Sequence, residues 1–460
     1  MRPITAVLLT GLLVPAAATL AEDLEQELER DVVLRAMVDE LARSQANLEL
    51  EDLERPYFIE YALADVSGAY VSAELGAVTG RREARSRSLR ADVRVGSYKL
   101  DNTNFGGGYG GYWGSSYGGY GRGAAIPIED DYNAIRQAIW WATDRDYKSV
   151  VEALVQKKAF MESKLIKDKP DDFSPAARNI HVDMKEVPEL DRRQWRERIR
   201  EVSAIFRSAQ GLQRSEVRLS EEKKVTRLVD SEGAVIRQTR TDYELIIAVQ
   251  TQAEDGASIA DYRAWHTRSP GDLPNRRTMI SEAHNLITEL QSMAEAPEGE
   301  PYVGPVLLVE QAAGGFFAQL FAQELSNPRA PLLENETFAA FFDDSGALAN
   351  RLNRRILPAT FQVVDDPTCE AWDGTRLVGH YAFDEEGVEA KPLVVVQDGW
   401  LRALLMSRTP TRDLKESNGR GRASPGEYVK GRPSNLLIST SEPESLRDLR
   451  KRLVELAELS

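Results

Sequence analysis

Two rhythms of apolar and polar residues alternate along the chain. Over residues 22–50, Leu24, Leu28, Val32, Val38, Leu41 and Ala42 recur at near-helical spacing among charges, which predicts a packing helix. From Arg55 to Phe105 aromatic and β-branched residues alternate with polar ones between glycine-containing breaks, which predicts several antiparallel strands. Residues 130–165 form the strongest helical stretch, with Ile135, Ile139, Trp140, Ala142, Val150, Val151, Leu154 and Val155 as its apolar positions. After a polar break at 167–173, a charged helix is expected over 189–210. Strand-like runs follow at 216–219, 225–229, 235–239 and 243–250, with Ser231-Glu232-Gly233 as a natural hairpin connection. Another helix is expected over 278–294.

Prolines at 297 and 301 mark a break, and GPVLLVEQAAGGFFAQLFAQEL begins at Gly304. Val306 to Val309 has the length and composition of a buried strand. Small residues follow, and Phe316, Phe317, Leu320, Phe321 and Leu325 then return at helical spacing. A short basic helix is expected at 348–357 and a β-meander over 360–408, with turn signals at Asp373-Gly374, Glu386-Gly387 and Asp398-Gly399. A helix closes the chain over 441–459, with Ser441 and Glu444 at capping-box spacing and a stripe of Leu446, Leu449, Leu453 and Leu456. The succession predicts an α+β fold. Residues 22–300 form a mixed region with an antiparallel sheet and long helices, and residues 301–460 a β-rich domain.

Length and composition fit two or three domains with a sizeable core, since 42% of the 460 residues are hydrophobic. The first 21 residues differ: Arg2, an apolar run from Ala6 to Val14, and small residues ending at Ala21. They read as a secretory signal cut after Ala21, too short in its apolar core to span a bilayer, with a retained N-terminal anchor as the alternative. A secreted or periplasmic protein without stable membrane insertion is therefore expected. A net charge of −15 argues against nucleic acid, because phosphate binding needs concentrated Lys and Arg. The single cysteine, Cys369, excludes an intramolecular disulfide and a cysteine zinc cluster. Residues 106–123 hold ten glycines and five aromatics and are expected to form a flexible surface loop. Gly106, Gly108 and Gly111 meet a GxGxxG pattern there only through glycine density.

The stretch from Gly304 resembles the TldD/PmbA family of metallopeptidase-like proteins, of the peptidase U62 type, in which an apolar strand runs into HExxxH. Laid on that pattern, EQAAGG puts the first His at Glu310, the Glu at Gln311 and the second His at Gly315. Zinc needs imidazole, thiolate or carboxylate ligands, and peptide hydrolysis needs a base beside the metal-bound water. Glycine ligates nothing, neutral glutamine is a poor base, and only Glu310 could bind a cation. The four histidines, His181, His266, His284 and His380, have no second His within helical reach.

Further blocks carry the same resemblance: PYFIEY, SRSL and RVGSYKLDNTNF early in the chain, then Asp365-Asp366, the DEEG of 384–387, SNGRGR at 417–422 and RPSNL at 432–436. The last two resemble blocks near the family's cleft. That likeness makes Arg420, Arg422, Arg432, Asn418 and Asn435 peptide-binding candidates, the arginines through bidentate bonds to a carboxylate. Asp365, Asp366, Asp384, Glu385 and Glu386 could be offered as a metal cluster or an acid/base pair, but acids at hairpin turns are expected to be solvated. The resemblance implies a secreted member lacking HExxxH, with no catalytic residue, metal or cofactor. Such a chain would hold a peptide beside a zinc-bearing TldD-like partner, or as a homo-oligomer. Two alternatives stay open: an active peptidase whose metal site draws on Glu310, His284, His380 and the acidic turns, or a shortened inactive member without the family's last strands.

Overall fold

One large antiparallel sheet carries everything else. The computed structural model describes residues 24–49, 53–106, 124–185, 187–297, 299–334, 346–423 and 429–459. The expected signal segment and residues 107–123 of the glycine- and tyrosine-rich stretch lie outside them. Strands β1 (Pro56–Glu74) and β2 (Ala77–Val95) form a single long hairpin. Its turn residues Leu75 and Gly76 both have positive φ, +46° and +78°, as a two-residue turn matched to strand twist requires. Strand β3 (Ile180–Val182) is short, while β4 (Arg214–Asp230) and β5 (Val235–Gln252) are long and joined through Ser231 to Ala234, as expected. The order runs from the short strand Ala124–Ala125 through β2, β1 and β4 to β5. The far edge of β5 takes β3 in parallel and β6 (Ser258–Thr267) antiparallel.

Runs that look separate in the sequence are therefore single strands. The polar residues 220–224 and 240–242 interrupt the apolar pattern without ending the strands, because they stand where the sheet is not covered by helices. Likewise the several strands expected between 55 and 105 are two.

Residue parity sorts the sheet into two faces. Odd-numbered Ile59, Tyr61, Leu63, Leu89 and Val229 pack under α1 (Val32–Asn47) and α2 (Tyr132–Ser163), against Leu34, Met37, Ile135 and Ile139. At the other end, Val217, Leu219, Leu245 and Ile247 pack under α3 (Arg192–Ala204) and α4 (Arg276–Ala294), against Ile199, Val202, Met279 and Leu286. Burying each such aliphatic side chain stabilises the fold by about 1.5–3 kcal/mol. The first helical stretch breaks at Asp31, whose carboxylate accepts from Leu34 N–H and pairs with Arg227 and Arg237.

The even face carries the C-terminal module, with Ala62, Leu228 and Ile236 packed on Phe383. That module contains α5 (Glu310–Phe321) and a small sheet of β7 (Phe361–Asp365), β8 (Leu393–Gln397), β9 (Trp400–Leu401) and β10 (Leu436–Thr440), in the order β9, β8, β7, β10. Helix α6 (Leu446–Glu458) closes it, capped by Ser445 and Asp448 rather than by Ser441 and Glu444.

Several expectations fail here, each because another partner takes the backbone or none pairs with it. Val306 to Val309 is not a strand: no sheet edge among the described residues pairs with it, and Val306 is 71% exposed. The basic helix expected at 348–357 is one 3-10 turn, Ala349–Arg351, after which Asn353 and Leu357 donate to the β8–β9 hairpin carbonyls of Leu401 and Gly399. Asp373-Gly374 and Asp398-Gly399 do turn hairpins. At Glu386-Gly387 a single bridge forms between Phe383 and Glu389, because the Asp384 carboxylate takes the nearby backbone N–H groups instead.

Candidate functional site

The motif positions lie on an open surface. Glu310 starts α5 with φ +50°, and among the described residues no atom outside the helix backbone lies within 4 Å of where a Cβ would stand on Gly314 or Gly315. Of the histidines, His284 is exposed on α4 and His266 lies on β6, while His181 and His380 line a cleft elsewhere. Among the described residues no group of three or more His, Cys, Asp or Glu side chains is placed to hold a metal ion.

That cleft, of about 730 Å³, lies between the even face of β4 and β5 and the segment from Pro367 to Glu385. Side chains of the large sheet hold the segment in place. Gln238 accepts from the N–H groups of Ala382 and Phe383 (3.2 and 3.0 Å) and donates to Phe383 O (3.0 Å), doing the work of a paired strand. Arg268 donates to the carbonyls of Val378 and His380. A second hollow of about 530 Å³ shares Glu222, Arg240 and Asp242 and continues past Tyr70 and His266.

His380 Nδ1 lies 3.1 Å from Leu377 O, which can only accept, so Nδ1 carries the proton and Nε2 keeps its lone pair. Burial and the Arg268 charge hold this imidazole below its ordinary pKa, so it is neutral at pH 7. Burial pushes Tyr381 up to about 12, and its hydroxyl donates to Gly419 O. Lys224 and Arg422 approach Glu385 at 3.3 and 3.8 Å, and Arg240 and Arg268 approach Asp242 at 2.5 and 3.5 Å. The walls thus offer charges of both signs and hydrogen-bonding groups, the equipment for holding a polar chain.

Of the five residues singled out by sequence, Arg422 lines the cleft, its guanidinium 4.3 Å from the Tyr381 ring centroid. Arg420 is buried, bound to the Asp365 carboxylate and carbonyl at 2.7 Å each and to Asn418 O. Asn418 braces Met406 N–H and Leu404 O. Asn435 accepts from Gly379 N–H and donates to the carbonyls of Asp366 and Cys369. Arg432 is exposed outside the cleft, with its N–H on Arg420 O.

The acids correct the expectation of solvated turns. Asp365, Asp384 and Glu386 are buried at 0%, 3% and 3% exposure, because each serves as a partner for buried donors. Asp384 accepts from the N–H groups of Glu386, Val388 and Gly421, and Glu386 from that of Arg408. Burial pushes both carboxyls up. Asp366 accepts from Thr368, and Glu385 turns outward to the cleft. Gln238, Arg240, Asp242 and Arg268 were not foreseen. The signal existed in RQTRTD, where an unbroken polar run within a strand marks a stretch that helices leave bare.

The overall shape is that of a known α+β architecture. TldE from Thermococcus kodakarensis superposes with a TM-score of 0.55 over 90% of this chain and 79% of its own, at 12% identity, a likeness of fold. Residues 301–456 match the PmbA/TldA metallopeptidase C-terminal domain. A metalloprotease of Archaeoglobus fulgidus is 33% identical over 162 residues, 35% of this chain and 33% of that protein. Metalloprotease slr0863 of Synechocystis is 28% identical over 200 residues, 44% of this chain and 39% of that one. The chain thus spans little more than a third of the length of the curated relatives it matches. These likenesses support the TldD/PmbA family, whose C-terminal domain residues 301–456 match.

Proposed function

We propose that this chain is a TldD/PmbA-type subunit that holds a polypeptide without cutting it, in proteolysis or peptide maturation, beside a zinc-bearing relative or as a homo-oligomer. The observation that carries the reading is chemical: Glu310, Gln311 and Gly315 supply one carboxylate, an amide and bare backbone where hydrolysis needs two imidazoles and a base. The cleft under Gln238 and Arg268 supports the holding role, since it is open and lined by charged and hydrogen-bonding side chains. Secretion, as the leader-like first 21 residues suggest, would place the activity outside the cytoplasm.

The test is a pull-down from the native source with the full-length chain, followed by peptide-hydrolysis assays on the chain alone and on what it retains. Hydrolysis only in the presence of a retained HExxxH-bearing relative supports the partner role. Robust hydrolysis by the chain alone contradicts it. Gln311→Glu should leave the chain alone inactive, because both flanking imidazoles are still missing.

A further inference from the structure

The register of β4 against β5 sets like charges opposite each other on the bare face. Lys224 stands across from Arg240, and Glu222 across from Asp242. Like charges directly opposite on one face destabilise a strand pair. Exchanging two of these residues would have given two attractive pairs instead. The face therefore carries a basic row and, two residues along each strand, an acidic row about 7 Å away.

Two more cations join the basic row. Arg268 shares the Asp242 carboxylate with Arg240, and Arg422 shares Glu385 with Lys224. Four cations thus contact two carboxylates. Arg422 sits over the Tyr381 ring, its nearest acid contact at 3.8 Å, so its fork of donors makes no hydrogen bond to a protein acceptor among the described residues. Burial first, then the neighbouring charges of Arg240 and Arg422, lower the Arg268 pKa, consistent with guanidinium groups crowded at one corner.

We propose that this corner is a carboxylate subsite: resting on the reading of the cleft as peptide-holding, Arg240 and Arg422 receive a carboxylate of the bound chain. The acidic row of Glu222 and Asp242 receives a Lys or Arg side chain next to it. Bidentate guanidinium–carboxylate bonding supplies the directionality, and the acidic row disfavours a ligand with a second anion there. The carboxylate can come from a chain end or from an Asp or Glu side chain.

Fluorescence anisotropy on the full chain, with N-terminally labelled octapeptides of one sequence carrying Lys at the seventh position, tests this. The free acid is expected to bind about tenfold tighter than the C-terminal amide, the scale of one charge-assisted interaction. An amide with Glu at position eight that binds like the free acid assigns the side-chain source, and one that binds like the plain amide assigns the chain end. Replacing Lys by Glu at position seven should weaken the free acid further. Arg240→Gln and Arg422→Gln should each erase the acid-to-amide difference while keeping amide binding and the wild-type melting curve. Equal binding of acid and amide by the wild type overturns the subsite and leaves peptide holding intact. No binding of any form overturns both.

Discussion

Under helices α1 to α4, Leu34 and Met37 at one end of the sheet and Leu245 and Ile247 at the other are buried by apolar contact, whereas Arg408 and Arg420 rank among the largest fully buried side chains of the C-terminal module. Arg408 leaves its module and enters the large sheet. It sits 4.0 Å from the Phe173 ring centroid and 5.0 Å from that of Phe58, and donates to Ser174 O and Glu232. Apolar contacts are many and individually weak, so a core of them tolerates adjustment. A buried guanidinium depends on a few acceptors, and losing either side leaves a charge stranded in low dielectric.

The contrast breaks most visibly at Arg408. Arg408→Ala should cost about 3–5 kcal/mol in urea unfolding, the range for removing one partner of a buried ion pair. A loss below about 1 kcal/mol would mean that the junction does not depend on it. Leu245→Ala, on the apolar side, should cost about 3 kcal/mol, by transfer and cavity terms alone.

A pH series sharpens the comparison, because Asp31 under α1 and the acids at the junction titrate with opposite signs. At Asp31 burial acts upward, but Arg227, the Leu34 N–H and Arg237 outweigh it and hold the carboxyl low. Its contribution is present above the unfolded carboxylate pKa and is lost as pH falls. At the junction burial pushes Glu60 up to about 7 from 4.5, against the opposing pull of Arg90, and raises Asp384 and Glu386 as well. These groups bind more protons folded than unfolded, and the Glu60 contribution is complete below about pH 4.5 and fades as pH rises through about 7. Glu60→Gln should therefore flatten the decline in stability between pH 5 and 8 by on the order of 2 kcal/mol. An unchanged slope would show that Glu60 is not the titrating group. The smallest effect is expected at Phe316, half exposed on α5, where Phe316→Ser should change stability by no more than about 0.5 kcal/mol.

The same contrast explains what could be read from the chain. Helices announce themselves by spacing, and the stretch expected at 130–165 folds as Tyr132–Ser163. The departure from HExxxH at Glu310, Gln311 and Gly315 needed only the motif. The C-terminal module resisted, because its order comes from side chains far away in sequence. Gln238 pairs with residues 382 and 383, Arg268 with 378 and 380, and Asp384 with Gly421. Local alternation in RLVGHYAF suggested a strand, but long-range polar bonds took its backbone instead. The burial of Asp384 and Glu386 was hidden for the same reason, since nothing in DEEG says which acids will find buried donors.

The metal content of the purified full-length chain bears most directly on the reading of a subunit that holds peptide without a zinc of its own. After dialysis against a mild chelator, elemental analysis should find far less than one zinc per chain. One zinc retained per chain, lost together with peptide-hydrolysing activity on stronger chelation, would contradict it.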